Sequence, residues 1–343
     1  MICDGGVYLL AKRCQHWDRL EAPSVYNLAV VRMIANCRML ATSTTKDVLR
    51  TPEECFGALP GFPYNPHYAS SLKGFEGLRM HYIDEGSRDA ESVFVCFHGQ
   101  LTWSYLYRRL ISHFRKGSRV LAPDLFGFGR SDKPVDERVH TFAFHRHALK
   151  AFIEALDLHN VTLVVHDFGG FLGLTLPMEM PKRISGLLVM NTFLGTGDVL
   201  LGDGFVNWRA WCNSRPDLKI GRLMLRSCSH LSEAEAAAYD APFPAQLYKA
   251  ALRTIPNLVP CSVDAPGAAI SRSARQWLSE EWQGQSLMAI GMLDPVVTPE
   301  KMRVLGSWIK GCDDFIEIAN AGHFVPEWGE RVAAATQLLK DFK

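Results

Sequence analysis

The segment 163–170, with the sequence LVVHDFGG, constrains this chain more than any other. Its apolar first half is typical of a buried strand, and the paired glycines after Asp167 permit a sharp turn into a helix. This pattern predicts a nucleophile elbow, a strand–turn–helix that presents one side chain above a sheet. A carboxylate in that position can attack a carbon atom directly and form an alkyl ester, which water must then break.

Short apolar runs repeat along the chain around this elbow. They predict parallel strands covered on both faces at 93–97, 119–122, 162–165, 187–190, 287–290 and 315–318. Residues 78–84 alternate between apolar and polar, which favours an antiparallel strand before them. Helix-length segments, such as 140–156 and 300–309, separate most of the strands. The pattern therefore predicts an α/β fold with a mostly parallel, doubly wound sheet and right-handed crossovers.

One interval interrupts this alternation. Residues 193–279 show helical patterning, are rich in Trp, Tyr, Phe and Pro, and contain no convincing buried strand. An insertion at the carboxyl edge of the sheet lies over the ligand crevice. We therefore predict a first core part at 51–192, a helical cap at 193–279 and a second core part at 280–343. Residues 1–50 are predicted to form a poorly ordered extension, since arginines interrupt its apolar part, which is too short for a membrane span.

Composition excludes several classes of protein. The formal net charge is +1 and the charged fraction is 21%, which leaves no electrostatic footprint for nucleic acid or a membrane surface. The 9 cysteines are dispersed without CxxC spacing, which argues against a disulfide framework or zinc site and favours a reducing compartment. We expect a cytoplasmic monomer without nucleic-acid or membrane partners.

Two further chemically useful side chains follow predicted strands. Asp294 comes after the strand at 287–290, and His323 comes after the last strand. A lone Asp at a strand end is more often a helix cap, and a lone His is usually structural. Because the carboxyl ends of parallel strands meet at one edge, however, both should meet Asp167 there. The order nucleophile, acid, histidine is the one that α/β-hydrolases use.

Residues 98–108, with the sequence HGQLTWSYLYR, resemble the oxyanion turn of haloalkane dehalogenases. The chain is most similar to the branch whose acid follows the penultimate strand, because Asn191 cannot supply the acid that another branch places earlier. The resemblance covers nearly everything from residue 51 onward. Its other matching segments are 124–134, the elbow, 233–242 and 322–330.

The resemblance implies an α/β-hydrolase fold that hydrolyses small haloalkanes to alcohol, halide and a proton. Asp167 would displace the halide and carry the alkyl ester. His323, oriented by Asp294, would activate the water that breaks this ester. The backbone N–H groups of Gln100 and Phe168 would hold the oxyanion. The partners are then a small halogenated hydrocarbon, water and a halide ion, with no metal or organic cofactor required.

The resemblance also assigns the halide site and the pocket walls. Trp208 matches a cap tryptophan whose indole N–H contacts the halide, and the weaker alternative is a tryptophan that merely packs the cap. Phe171, Phe205 and Val296 are candidate apolar walls.

Three positions depart from the family pattern. Phe168 stands where the family carries a tryptophan, and its ring offers no N–H donor. His166 replaces a glutamine, and Leu101 replaces a proline in the oxyanion turn. The amide of Gln100 could supply the halide contact that Phe168 cannot make, or Gln100 could contribute its backbone alone.

Other functions fit the same triad. An epoxide hydrolase needs acidic donors for the ring oxygen, and the cap offers Tyr239 and Tyr248. A β-lactone decarboxylase of similar build is a further alternative. A binding protein with little turnover is favoured by Phe168 and Leu101, while the intact triad weighs against it because a pure binder gains nothing from a carboxylate buried beside an imidazole.

Overall fold

The computed structural model describes residues 48–338, so the predicted N-terminal extension lies almost wholly outside the described residues. An eight-stranded sheet has the order β2-β3-β5-β4-β7-β8-β9-β10, and β1 pairs separately with β6. The strands are β1 (Val48–Leu49), β2 (His67–Ala69), β3 (Met80–Glu85), β4 (Val93–Phe97), β5 (Arg119–Pro123), β6 (Lys133–Pro134), β7 (Val161–His166), β8 (Ile184–Met190), β9 (Gln285–Gly291) and β10 (Phe315–Ile318).

The central strands are parallel and buried on both faces. Every residue of β4 and β7 is buried, as expected where helices cover both sides of a parallel sheet. Only β2, β3 and β5 make antiparallel pairs within this sheet. The described α-helices are α1 (Arg108–Phe114), α2 (Phe142–Ala155), α3 (Phe168–Gly173), α4 (Asp203–Asn213), α5 (Ile220–Ser227), α6 (Glu233–Ala237), α7 (Ala250–Thr254), α8 (Ala268–Glu280), α9 (Pro299–Ser307) and α10 (Gly329–Leu338). The predicted α/β-hydrolase architecture is confirmed.

Helices α4 to α8 all lie between β8 and β9, and the described part of that interval contains no strand. This inserted segment is tied to the core by buried charges, which we call the Arg108 network: Arg108, Arg109, Glu235, Tyr239 and Glu327. Arg108 donates to both oxygens of Glu327, at 2.6 and 2.9 Å, and also to Glu235 of α6 at 2.9 Å. Tyr239 donates its hydroxyl hydrogen to Glu327 as well. The network thus joins α6 and the turn after it to the segment that follows His323.

Two sequence predictions concern thiols and membranes. Within residues 48–338, no helix is both long and apolar enough to cross a membrane.

Cys55 is disulfide-bonded, a departure from the reduced thiols expected from the cysteine spacing. The free thiols among the described residues are Cys96, Cys212, Cys228, Cys261 and Cys312.

Candidate active site

Asp167 occupies the turn between β7 and α3 in a backbone conformation that few residues adopt. Its φ is +50° and its ψ is −126°, so the side chain stands above the carboxyl edge of the sheet at a cost in strain. The space around this turn is tight enough to require glycine both within the turn, at Gly169, and in the loop after β4, at Gly99. A Cβ atom on Gly99 would collide with the Asp167 carboxylate, and one on Gly169 would collide with the carbonyl oxygen of Phe97.

The structure brings the three predicted catalytic side chains together. His323 Nε2 lies 3.3 Å from Asp167 Oδ2. On the other side of the ring, His323 Nδ1 lies 2.7 Å from Asp294 Oδ2. A single imidazole therefore bridges the two carboxylates, which is the geometry of a nucleophile, base and orienting acid.

Asp294 is held by several donors besides His323. The backbone N–H groups of Val296 and Val297 donate to its Oδ1 at 2.7 and 3.1 Å. Asn191 Nδ2 donates to its Oδ2 at 2.7 Å. Asn191 thus fixes the orientation of the Asp294 carboxylate from the end of β8.

Electrostatic interactions keep both the Asp167 carboxylate and the His323 imidazole charged in the resting protein. Burial alone would lower the pKa of His323, but the carboxylates of Asp294 and Asp167 outweigh burial and raise this pKa to about 10. Burial would raise the pKa of Asp167, yet its contact with His323 dominates and lowers this pKa to about 2. Asp167 is therefore ionised, as a nucleophile must be, beside an imidazolium.

His166 has a structural role that the sequence did not reveal. Its Nε2 lies 2.8 Å from the carbonyl oxygen of His323, so this nitrogen carries a hydrogen and donates it. Burial and the charge of His323 lower the pKa of His166 to about 4, which keeps its ring neutral at physiological pH. The rings of the two histidines lie 4.9 Å apart. His166 thus supports the backbone that carries His323.

Backbone donors surround the Asp167 carboxylate. The N–H of Gln100 donates to Asp167 Oδ1 at 2.7 Å, and the N–H of Phe168 also bonds this carboxylate. Leu101, which follows Gln100, has a φ of +71°. That left-handed conformation costs a leucine about 1–2 kcal/mol, and a proline could not adopt it. The departure at Leu101 therefore changes the backbone of the oxyanion turn.

The predicted halide donors are engaged with each other. Trp208 Nε1 donates to the amide oxygen of Gln100 at 2.9 Å. The amide nitrogen of Gln100 donates to the carbonyl oxygen of Leu252 at 3.1 Å. Phe168 is buried, and its ring meets the rings of His145 and Phe171 edge-on. The indole N–H of Trp208 and the amide of Gln100 therefore already bond protein atoms on this side of Asp167.

A cavity of about 370 Å³ opens onto the triad, and we call it the catalytic cavity. The predicted wall Val296 lines it. Phe171 is fully buried instead and packs on Phe142 and Phe193, while Phe205 lines a different cavity. The residues that line the catalytic cavity are Gln100, Leu101, Asp167, Trp208, Leu223, Arg226, Ser227, Ser229, Leu293, Pro295, Val296, Asn320, Gly322, His323, Phe324 and Trp328.

Comparisons with known proteins show which family this chain is similar to. The family model for the alpha/beta hydrolase fold matches residues 92–330. A haloalkane dehalogenase from Psychrobacter cryohalolentis is 39% identical over 293 residues, which cover 83% of this chain and 95% of that protein. Haloalkane dehalogenase 1 from Mycobacterium tuberculosis is 43% identical over 254 residues, covering 73% and 84%. The tetrameric structure of the haloalkane dehalogenase DpaA from Paraglaciecola agarilytica NO2 superimposes with a TM-score of 0.83 at 46% identity, over 86% of this chain and 99% of that one.

Proposed function

This chain belongs to the haloalkane dehalogenase family of α/β-hydrolase fold proteins, and we propose that its Asp167, Asp294 and His323 hydrolyse a small haloalkane to alcohol, halide and proton. The observation that carries this assignment is the His323 imidazole, 3.3 Å from Asp167 and 2.7 Å from Asp294, at the wall of the catalytic cavity.

In the first step, Asp167 Oδ2 attacks the halogen-bearing carbon from the side opposite the halogen. A carbon–oxygen bond forms as the carbon–halogen bond breaks, and the electron pair leaves with the halide. The N–H of Gln100 holds the other carboxylate oxygen at 2.7 Å, which orients the attacking one. This step needs Asp167 ionised, and its lowered pKa ensures that state.

In the second step, water attacks the carbonyl carbon of the ester and His323 takes its proton. The backbone N–H groups of Gln100 and Phe168 then face the negative charge that develops on the carbonyl oxygen. Ester formation removes one of the two carboxylates that raise the pKa of His323. The imidazole therefore loses its proton more readily at the stage where a base is required. Asp294 stabilises the imidazolium that forms. The tetrahedral intermediate then collapses: the bond between the carbonyl carbon and the alkyl oxygen breaks, the alkoxide takes the second water proton and leaves as the alcohol, and Asp167 is again a carboxylate.

Phe168, which differs from the family pattern, and Gln100 both concern the release of the halide. We assign the halide contact to the indole N–H of Trp208, which lines the catalytic cavity. Gln100 would join it after its amide turns, since its donor now bonds Leu252. Halide titration of Gln100→Glu tests this second contact. Unchanged halide affinity and turnover would leave Gln100 with its backbone role alone.

The cap tyrosines give no support to epoxide hydrolysis. Tyr239 is fully buried and donates to Glu327, and Tyr248 is buried as well. Neither is among the described residues that line the catalytic cavity. An epoxide oxygen bound there would meet no phenolic donor.

Mass spectrometry of His323→Phe after exposure to 1-bromobutane tests the assignment. Without the base, the ester should accumulate, so the protein should gain the mass of one butyl group and release one bromide. The adduct should map to the peptide that contains Asp167. The double variant Asp167→Ala, His323→Phe is the control and should gain no mass. An unmodified His323→Phe protein, with wild-type turnover of the same bromide, would refute the roles assigned here.

Monomeric state and cytoplasmic location stay predictions. The relative DpaA is a tetramer. Light scattering of the purified protein therefore measures whether this chain is a monomer.

A further inference from the structure

A second cavity, of about 210 Å³, lies beside the catalytic cavity, between the loop after β8 and helix α9. We call it the side cavity. Its lining is almost entirely apolar and includes Phe193, Leu201, Phe205, Val296, Val304 and Trp308. Few polar atoms face it, so water inside gains little hydrogen bonding and an apolar guest is favoured.

Only a thin partition separates the two cavities. Val296 lines both of them. Phe205 and Trp208 lie three residues apart on α4, yet Phe205 faces the side cavity and Trp208 faces the catalytic one. At Gly204 the helix touches the loop that carries the acid, because a Cβ atom there would collide with the carbonyl oxygen of Pro295. The partition is thus one helix turn against one loop.

The side cavity has a mouth with an apolar rim. Leu200, Val304 and Val199 line it, with 94%, 49% and 47% of their surfaces exposed. Glu300 and Lys301 lie beside them with opposite charges, which favours neither an anion nor a cation. The volume is too small for a peptide segment. The chemistry that fits is a small, neutral, apolar molecule.

We propose that the side cavity binds a second small halogenated hydrocarbon, and that this molecule reaches the catalytic cavity past Phe205 and Val296. The transfer rests on the dehalogenase activity proposed above, whereas the binding does not. Phe205 and Val296 supply the side-chain part of the partition, beside the backbone contact at Gly204, and side chains rotate on a timescale far shorter than typical turnover.

Bromobenzene tests the binding, because its bromine is attached to an aromatic carbon that resists attack from behind. Crystals soaked with it should show anomalous bromine signal among Phe193, Leu201 and Trp308 as well as in the catalytic cavity. In solution, bromobenzene should quench part of the tryptophan fluorescence, and Trp308→Phe should remove that part. Bromine in the catalytic cavity only, or quenching that Trp308→Phe leaves unchanged (binding at crystal concentration only), overturns the proposal.

Val304→Trp tests the transfer, since a bulky ring at the mouth should block entry. We expect kcat/KM for 1-bromohexane to fall about 3- to 10-fold, while the rate of the bromide burst at saturation is kept. Arg303→Trp, one residue earlier on the exposed face of α9, is the matched control and should match wild type. Val199→Trp blocks the opposite rim and serves as a second plug if Val304→Trp misfolds.

Equal kcat/KM in both plugged variants and Arg303→Trp would overturn the transfer. If the protein releases no halide from any alkyl bromide, the proposed dehalogenase function fails. The bromobenzene measurements still decide whether the side cavity binds.

Discussion

The two sides of Asp167 are built in different ways. On the base side, His323 and Asp294 follow sheet strands, and backbone donors, Asn191 and His166 hold them in place. On the halide side, Phe168 presents a ring without a donor, and the Trp208 indole comes from the inserted segment. In the proposed mechanism, the attacking chemistry therefore depends on the sheet, whereas stabilisation of the leaving group depends on how the inserted helices pack.

Substitutions on the base side should therefore stop hydrolysis of the ester, the second step. Substitutions on the halide side should change the rate of halide displacement, the first step, by smaller factors. One hydrogen bond to a departing anion is worth about 1.5–3 kcal/mol, or roughly 10–150-fold in rate. A missing orienting acid costs far more, about 10⁴-fold in enzymes with the same triad logic.

Asp294→Asn should have the largest effect, a loss of about 10⁴-fold in ester hydrolysis. The amide cannot stabilise the imidazolium of His323, but displacement by Asp167 does not need that charge. Rapid-quench measurements should therefore show a retained bromide burst followed by almost no turnover. Asp313→Asn, on the exposed surface, is the control. A burst lost together with turnover would mean that the acid also serves the displacement step.

The pH dependence should separate the two steps next. The pKa of Asp167 is lowered to about 2, so the displacement rate should stay flat at all pH values well above it. Hydrolysis needs neutral His323, whose pKa is raised to about 10 in the resting state and falls once Asp167 is esterified. Hydrolysis should therefore slow as pH falls through the lower value, by up to about 10-fold per pH unit. Parallel pH profiles for burst and turnover would contradict this separation.

Trp208→Phe should cost about 10–150-fold in the displacement rate, because its indole N–H is the donor assigned to the halide. Halide affinity should fall in step, as measured by bromide inhibition. Trp277→Phe, on α8 of the same inserted segment, controls for the loss of an indole. If Trp208→Phe keeps wild-type bromide affinity, Trp208 only packs the cap.

Phe168→Trp should have the smallest effect, a gain of up to about 10-fold in bromide affinity. The new indole would restore a donor beside the nucleophile. Phe168 is buried against His145 and Phe171, so the larger ring should also cost about 1–3 kcal/mol of stability. Thermal melting and bromide titration of the same sample measure both. Lower stability without tighter bromide binding would show that this ring position does not reach the halide.

The sequence predicted the sheet better than the cap, for a physical reason. Strands β4 and β10 have the predicted bounds, because short apolar runs ended by turn residues specify buried strands locally. The meeting of Asp167, Asp294 and His323 could be predicted, since parallel strand ends share one edge. The bond from Trp208 to Gln100 joins residues 108 positions apart and depends on the docking of α4, which no local pattern encodes. The same applies to Phe205, which faces the side cavity, and to the fully buried Phe171.

The Arg108 network limits how the substrate range of such an enzyme can change. Glu327 lies four residues after His323, and its buried charge is matched by Arg108 and by Tyr239 of the inserted segment. A chimera that replaced the whole segment without Glu235 and Tyr239 would leave this charge partly unmatched, at a cost of several kcal/mol. Helices α4 and α5 carry no member of the network. New specificities are therefore most readily engineered, or evolved, by exchanging those two helices while Trp208, α6 and the turn after α6 are kept.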